Sequence, residues 1–475
     1  MHIRFSGATG EVTGSRYHLE GRVKGQTRQI LVDCGMFQGG RDADRKNLQP
    51  FGFSPKDIDC VVLTHAHIDH SGLLPRLCAQ GFNGPIYCTP ATLDLLEVLL
   101  ADSAHIQAGE RRRAEEKQAK GKWRGELPEP LYSVEEVETC IGQCRTVGYA
   151  HPQELLPGVR VEFLDAGHIL GASIAILDIH DDDHRQGETS RRIVFSGDIG
   201  ARGRPVMNDP QRVSRADVLI VESTYGDRLH RTMQETEDEL VEVVTRTLKA
   251  GGNVVMPAFA VGRTQEVIAI FLDLIRKKRL PFLSIFVDSP MATRASEITE
   301  QHTKILDPQT QALYHWAHAN PQAVLIRYLT EVNDSKALNQ IKGGAVILSA
   351  SGMCEAGRIV HHLFWNLPNQ QSAVVITGFQ ATGTLGRALV DGAKTVKLLG
   401  REVMVKASVH TLGGLSAHGD QQDLLWWCQG FASAPKKVFV THGEPAAAAN
   451  FAKVLHAELS WPTPIVPQSG ELYPC

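Results

Sequence analysis

The stretch Val61–Pro75, VVLTHAHIDHSGLLP, crowds three histidines and an aspartate into the six residues His65–His70, directly after an apolar run. CVVLT has the composition of a buried strand and HSGLLPRLCAQG that of a short helix, so His65, His67, Asp69 and His70 are expected on the loop between them. Each of these side chains would cost free energy if it merely faced a core. Imidazole and carboxylate donors on a rigid strand end are what a borderline cation such as Zn²⁺ takes. Side chains so close together cannot all reach one ion. The pattern H-x-H-x-D-H therefore predicts two adjacent metals.

Two metals need further ligands, and the chain offers them in matching settings. His168 in LDAGHILGAS and Asp198 in IVFSGDIG each follow an apolar strand and sit beside glycine, and His442 in VFVTHGE repeats the style. A carboxylate such as Asp198 can bridge two cations and partly neutralise their mutual repulsion. The more conspicuous acidic cluster, HDDDHRQGE at 180–188, lies between two strands without glycine support and reads as a solvated hairpin tip.

The rest of the composition sets bounds. At 475 residues the chain is too long for one ordinary core and suggests two or three domains. Hydrophobic content of 43% and charged content of 21% are those of a globular protein in water. There is no apolar run of about 18 residues and no charged-then-apolar layout in MHIRFSGATGEV, so neither a membrane span nor a signal segment is expected. Nine scattered cysteines without a CxxC pair fit a reducing compartment, and a cytoplasmic location follows as the expectation. Cys140 and Cys144 read as helix residues rather than ligands. The formal net charge of −4 supplies no bulk basic field, so a nucleic-acid partner would have to be held by a local groove.

Two rhythms run along the chain. Residues 1 to about 205 read as short strands separated by polar turns, among them HIRFSGA, SRYHLE, QILVDCG, RVEFLDAG, SIAILDIH and RIVFSGD, which suits sheet packed on sheet with helices outside. A long helix interrupts them from Leu93, apolar-periodic at first and highly charged later. Its Arg111, Arg112 and Arg113 read as a solvated face. From about residue 215 the pattern becomes strand, glycine-rich turn, helix, which implies a parallel sheet covered on both faces. In such sheets ligands sit at the carboxyl ends of the strands. Near residue 400 the strand-rich style returns with EVMVKASVHTLGGLSAHGD and KKVFVTHGEP, so the second pattern is inserted into the first.

THAHIDH, AGHILGA, FSGDIG and LVDCG together resemble the metallo-β-lactamase fold, and IVESTYGDR, LSAHGD and VTHGE resemble its β-CASP branch. The resemblance covers nearly the whole chain. Its pattern is similar to bacterial and archaeal RNA-processing nucleases related to the endonuclease subunit of the cleavage and polyadenylation specificity factor. It implies an α/β fold, an αββα metallo-β-lactamase sandwich interrupted by an inserted α/β β-CASP domain with a parallel sheet. The corresponding boundaries are 1–220 and 396–475 for the sandwich and 221–395 for the insertion. No extra N-terminal RNA-binding module and no long C-terminal extension are expected.

Carried over by position, the resemblance implies two Zn²⁺ per chain. One would be held by His65, His67 and His168, the other by Asp69, His70 and His442, with Asp198 bridging and Asp33 of LVDCG orienting a ligand or a hydroxide. Glu222 and His418 match the first two motifs added in the β-CASP branch, and His442 the third, where DNA-acting members usually carry an apolar residue. The implied activity is hydrolysis of single-stranded RNA by a hydroxide activated between two metals. Asp69, Asp33, Glu222 and His418 would carry the reaction, with His418 protonating the leaving oxygen and Glu222 fixing its tautomer.

The inserted domain would grip the substrate. SASGMCEAGR and GFQATGTLGR place small residues and an arginine at strand-to-helix corners suited to phosphates, which nominates Ser349, Ser351, Gly352, Thr384 and Arg387, with Arg263 of FAVGRTQE beside them. Phosphate contacts position a strand without reading its bases, so little sequence preference is expected. A small-molecule thioester, lactone or phosphodiester hydrolase would share the first-domain ligands but has no need of the insertion or the Glu222 and His418 pair. A DNA nuclease would share both, and a noncatalytic RNA-binding scaffold would tolerate missing ligands, yet none is missing. Internal and 5′-to-3′ cleavage both remain open. Relatives often form homodimers, although no apolar stripe in this sequence marks one.

Overall fold

A computed structural model of the chain describes residues 1–123, 125–182, 190–381 and 383–475, side chains at positions 40 and 41 excepted. The chain divides into two compact units, Met1–Arg202 with Asp209–Leu229 and His418–Cys475, and Gly203–Asn208 with His230–Ala417.

In the first unit, β1 (His2–Phe5), β2 (Tyr17–Val23) and β3 (Gln26–Val32) pair antiparallel. The sheet continues in parallel through β4 (Cys60–Val62), β5 (Ile86–Cys88) and β6 (Cys144–Thr146). The strand Leu472–Pro474 lies along β1. A second sheet holds β7 (Gln153–Leu156), β8 (Val159–Asp165), β9 (Ser173–Ile179), β10 (Arg191–Phe195) and β11 (Val218–Glu222), with Lys437–Thr441 parallel to β11. β8 shows why two sheets stack: Val159, Val161 and Phe163 are buried while Arg160 between them is exposed, a period of two that turns one face inward. Phe5, Leu19, Val32 and Val62 of the first sheet and Phe163, Leu177, Phe195 and Phe439 of the second form one core. Burying each such side chain contributes about 1.5–3 kcal/mol.

Helices cover the outer faces. The long one runs Pro90–Ala119, three residues earlier than the apolar periodicity indicates. The Thr89 hydroxyl accepts from the Thr92 amide at 3.2 Å and Pro90 occupies the first helical position, so the cap sets the start. Cys140 lies in the helix Val134–Gly142, but Cys144 opens β6 instead of belonging to a helix. None of the nine thiols is in a disulfide. Most of the acidic cluster at 180–188 lies outside the described residues. Asp181 is not solvated: it is buried and accepts from Arg191 Nε at 2.7 Å.

In the second unit β12 (Val254–Pro257), β13 (Ser284–Val287), β14 (Leu325–Tyr328), β15 (Ala345–Ser349) and β16 (Ala373–Ile376) are parallel, and β17 (Thr395–Leu398) and β18 (Arg401–Met404) form a separate ribbon. β19 (Ser408–Thr411) completes the order β14-β13-β15-β12-β16-β19. VVMP, AVILS and AVVI are buried at every position, as strands covered on both faces must be. The VKASVHT stretch, read above with the returning first domain, supplies β19 and so extends the inserted sheet. Among the described residues no helix is long and apolar enough to cross a membrane.

Candidate metal centre

The loops carrying His65, His168, Asp198 and His442 each follow the end of a first-unit strand, β4, β8, β10 and Lys437–Thr441 respectively. β4 delivers His65 and His67, but Asp69 and His70 are not on a loop. They sit on the one-turn helix Ile68–Ser71, closed by the His70 and Ser71 amides on the His67 carbonyl, each at 2.9 Å. Glycine permits two close approaches between loops. A Cβ at Gly35 would lie 1.7 Å from the Asp69 carbonyl oxygen, and one at Gly200 would lie 1.9 Å from that of Gly167. The first contact seats Asp33 under His70. The second brings the His168 and Asp198 loops together, with the Gly200 amide on the Ala166 carbonyl at 2.8 Å.

The side chains converge in two groups. His65 Nε2 is 3.2 Å from His67 Nδ1, which is 3.1 Å from His168 Nε2, while Asp198 Oδ2 is 3.4 Å from His65 Nε2 and 3.5 Å from His168 Nε2. In the other group His70 Nε2 lies 3.2 Å from His442 Nε2 and 3.2 Å from Asp198 Oδ1. Asp69 Oδ2 is 3.4 Å from His442 Nε2 and 4.0 Å from His70 Nε2. Four donors placed tetrahedrally about 2.0–2.1 Å from a cation stand roughly 3.3 Å apart, so the first group already has the spacing of a filled coordination shell. Asp198 turns one oxygen to each group. Both oxygens are buried and, among the described residues, accept no hydrogen bond. A carboxylate left so costs several kcal/mol unless cations face it. The donor set therefore fits two metal ions.

Neighbouring groups set the tautomers. Asp33 accepts from the Thr64 amide at 2.8 Å and the Thr64 hydroxyl at 2.9 Å, and its Oδ2 meets His70 Nδ1 at 2.7 Å, leaving Nε2 for the centre. The Thr224 hydroxyl meets His442 Nδ1 at 3.0 Å to the same effect. Asp33 and His442 both hold left-handed backbone, φ 58° and 48°, which these bonds over-determine. Burial drives His65 down to about 3 and lowers His67 and His168 as well, so these imidazoles are neutral, as ligands must be. For His70 burial acts against the charge, but Asp198 and Asp33 outweigh it and raise the pKa, so a cation entering there displaces a proton.

Beside the centre, His418 Nδ1 is 3.1 Å from Glu222 Oε1, and Nε2 faces Asp198 Oδ2 at 3.9 Å. Glu222 is buried and also accepts from the Ile199 amide at 2.7 Å and the Thr224 amide at 3.2 Å. Burial would lower the His418 pKa, but the charges of Glu222 and Asp198 raise it to about 9. Bound cations would pull it back down.

Three family models match the sequence: the metallo-beta-lactamase superfamily over residues 21–248, the Beta-Casp domain over 264–389, and the Zn-dependent metallo-hydrolase RNA specificity domain over 402–467. The chain is 38% identical over 444 residues to Ribonuclease TTHA0252 of Thermus thermophilus, covering 94% of this chain and 93% of that protein. The chain belongs to the β-CASP branch of the metallo-β-lactamase superfamily. It is a metal-dependent hydrolase of that branch. Transcription termination factor FttA of Methanocaldococcus jannaschii is 29% identical over 461 residues, 95% of this chain and 68% of that protein.

In this β-CASP hydrolase the first unit gathers Asp33, His65, His67, Asp69, His70, His168, Asp198, Glu222, His418 and His442. Sequence reasoning missed Thr64 and Thr224, whose only signals are their places before His65 and two residues after Glu222. In the second unit the Ser349 hydroxyl donates to the Asp288 carbonyl at 2.9 Å, buried Arg263 pairs with Glu266, and the Thr384 hydroxyl caps the helix Leu385–Val390, accepting from the Arg387 amide at 3.2 Å. Ser349 and Arg263 thus have partners within the unit, and the Thr384 hydroxyl serves as a helix cap. Gly352 is buried, and the Ser351 hydroxyl is enclosed without a hydrogen-bond partner among the described residues. Arg387 is open to solvent, in an exposed pair with Asp391 at 2.9 Å.

Proposed function

We propose that the chain is a zinc-dependent ribonuclease that hydrolyses phosphodiester bonds of single-stranded RNA, cutting internally. The observation that carries this reading is the Asp198 carboxylate, buried, without a hydrogen-bond donor among the described residues, and shared between the two donor groups. The preference for RNA rests on the ribonuclease relative and on the histidine at 442.

His65, His67 and His168 would hold one ion, and Asp69, His70 and His442 the other, with Asp198 between them. Such a pair supplies Lewis acidity and brings the pKa of a water to about 7. Water adds to phosphorus and the bond to the sugar oxygen breaks, so that oxygen needs a proton. Glu222 fixes a proton on His418 Nδ1 and keeps Nε2 toward the reacting centre, so His418 can donate there. Asp33 and Thr224 hold His70 and His442 in the ligating orientation.

The test compares zinc-loaded protein on linear single-stranded RNA, circular RNA, single-stranded DNA and a simple phosphodiester, with Asp69→Ala as control. Both RNAs should be cut, DNA much more slowly, and the control should be inert. Equal rates on DNA, or turnover of the small diester alone, would overturn the reading.

A further inference from the structure

Between β12 and β16 the connections of the inserted sheet change direction. After β12 the chain passes to β13 on one side, and after β16 it passes to β19 on the other. The crevice outside the carboxyl ends of two such strands is where open parallel sheets take ligands. The loop following each strand sets a phenylalanine there. Phe259, two residues beyond Pro257, is 46% exposed, and Phe379, three beyond Ile376, is 59% exposed.

This exposure is built in. The Thr377 hydroxyl donates to the Pro257 carbonyl at 2.8 Å, joining the two loops at their roots. Buried Gln380 donates through Nε2 to the carbonyls of Gly352 at 3.0 Å and Phe379 at 3.0 Å, tying the loop after β16 to the loop after β15. Phe259 lies over Gly352, where a Cβ would come within 3.1 Å of the ring. Two large apolar rings held in water by polar ties, in the crevice where a ligand belongs, mark a binding surface.

We propose that Phe259 and Phe379 form a stacking platform for the unpaired bases of single-stranded RNA, an assignment that rests on the ribonuclease reading above. Every base offers a π face, so stacking suits a substrate taken with little regard to sequence. A chain with a net charge of −4 has no bulk field to hold a polyanion. Stacked bases would add to what a local groove supplies through the phosphates.

The test uses the full chain in an Asp69→Asn background that stops turnover. Fluorescence anisotropy compares a labelled single-stranded oligoribonucleotide with the same backbone carrying abasic positions. The unmodified strand should bind more tightly, and Phe259→Ala and Phe379→Ala should each weaken it about tenfold while scarcely affecting the abasic strand. Tyrosine at either position should restore binding. Leucine, which keeps apolar volume without a π face, should not. Unchanged affinity in both alanine variants, or equal losses on both ligands, would overturn the platform and leave the ribonuclease reading standing. Loss of self-association with RNA binding intact would also overturn it, assigning the rings to contacts between copies. A wild-type chain that neither binds nor cuts single-stranded RNA would overturn both.

Discussion

Replacing His418 with alanine separates a proton donor from a metal ligand. Its Nδ1 is taken by Glu222 at 3.1 Å and its ring centroid lies 4.5 Å from that of His168 and 5.8 Å from that of His442, so the imidazole overlooks the centre from one side. Each donor group already offers three side chains besides Asp198 that could ligate an ion, so on the proposed reading neither needs His418 to hold one. His418→Ala should therefore retain the wild-type metal content. General acid catalysis is typically worth about 10²–10⁴ in rate, or roughly 2.7–5.4 kcal/mol of barrier, and kcat on RNA should fall by that factor. A diester of p-nitrophenol, whose leaving group departs without a proton, should lose far less. The assay pairs elemental analysis of the purified variant with initial rates on both substrates. An equal loss on both, or loss of an ion per chain, would refute the assignment; the latter would instead place His418 with Asp198 and His442 as a ligand.

Thr224→Val removes the hydrogen bond to His442 Nδ1 and should weaken the second ion about 10–100-fold while sparing the first, a difference that titration with a chelator resolves. In the second unit, buried Asp288 accepts from His362 Nε2 at 2.6 Å, Ser335 Oγ at 2.6 Å and Arg358 Nη1 at 2.7 Å. Asp288→Ala should cost about 3–5 kcal/mol by urea unfolding, because it strands those partners. Burial opposes ionisation of Asp288, but these donors prevail and hold its pKa below the usual carboxylate value. Its stabilisation is accordingly full above about pH 4 and lost as pH falls through the depressed pKa, so the gap between wild type and Asp288→Asn should narrow in acid.

Much of the architecture was legible because the informative residues are local. A buried strand followed by a cluster of donors can be read in a few residues, and His168, Asp198 and His442 share the style of the first motif. Less visible were features fixed by distant contacts. The orienting role of Asp33 came from the family resemblance alone, without naming His70 as its target, and nothing near His442 points to Thr224; packing pairs β3 with β4 and, in the other sheet, β11 with Lys437–Thr441. Ser349 and Arg263 look like phosphate donors in isolation because their partners, the Asp288 carbonyl and Glu266, gain meaning only once folded. Asp181 was misread for the same reason: its partner Arg191 lies ten residues further along the chain. Exposure of Phe259 and Phe379 is likewise a property of the folded sheet and leaves no mark in the sequence.

The most direct test is to count and locate metal in the active protein. Elemental analysis with anomalous diffraction at the zinc edge should find two ions per chain, about 3.5–4 Å apart. One should lie among His65, His67 and His168, the other among Asp69, His70 and His442, with an Asp198 oxygen on each. Full activity with one ion per chain or none, or ions bound away from Asp198, would contradict the account.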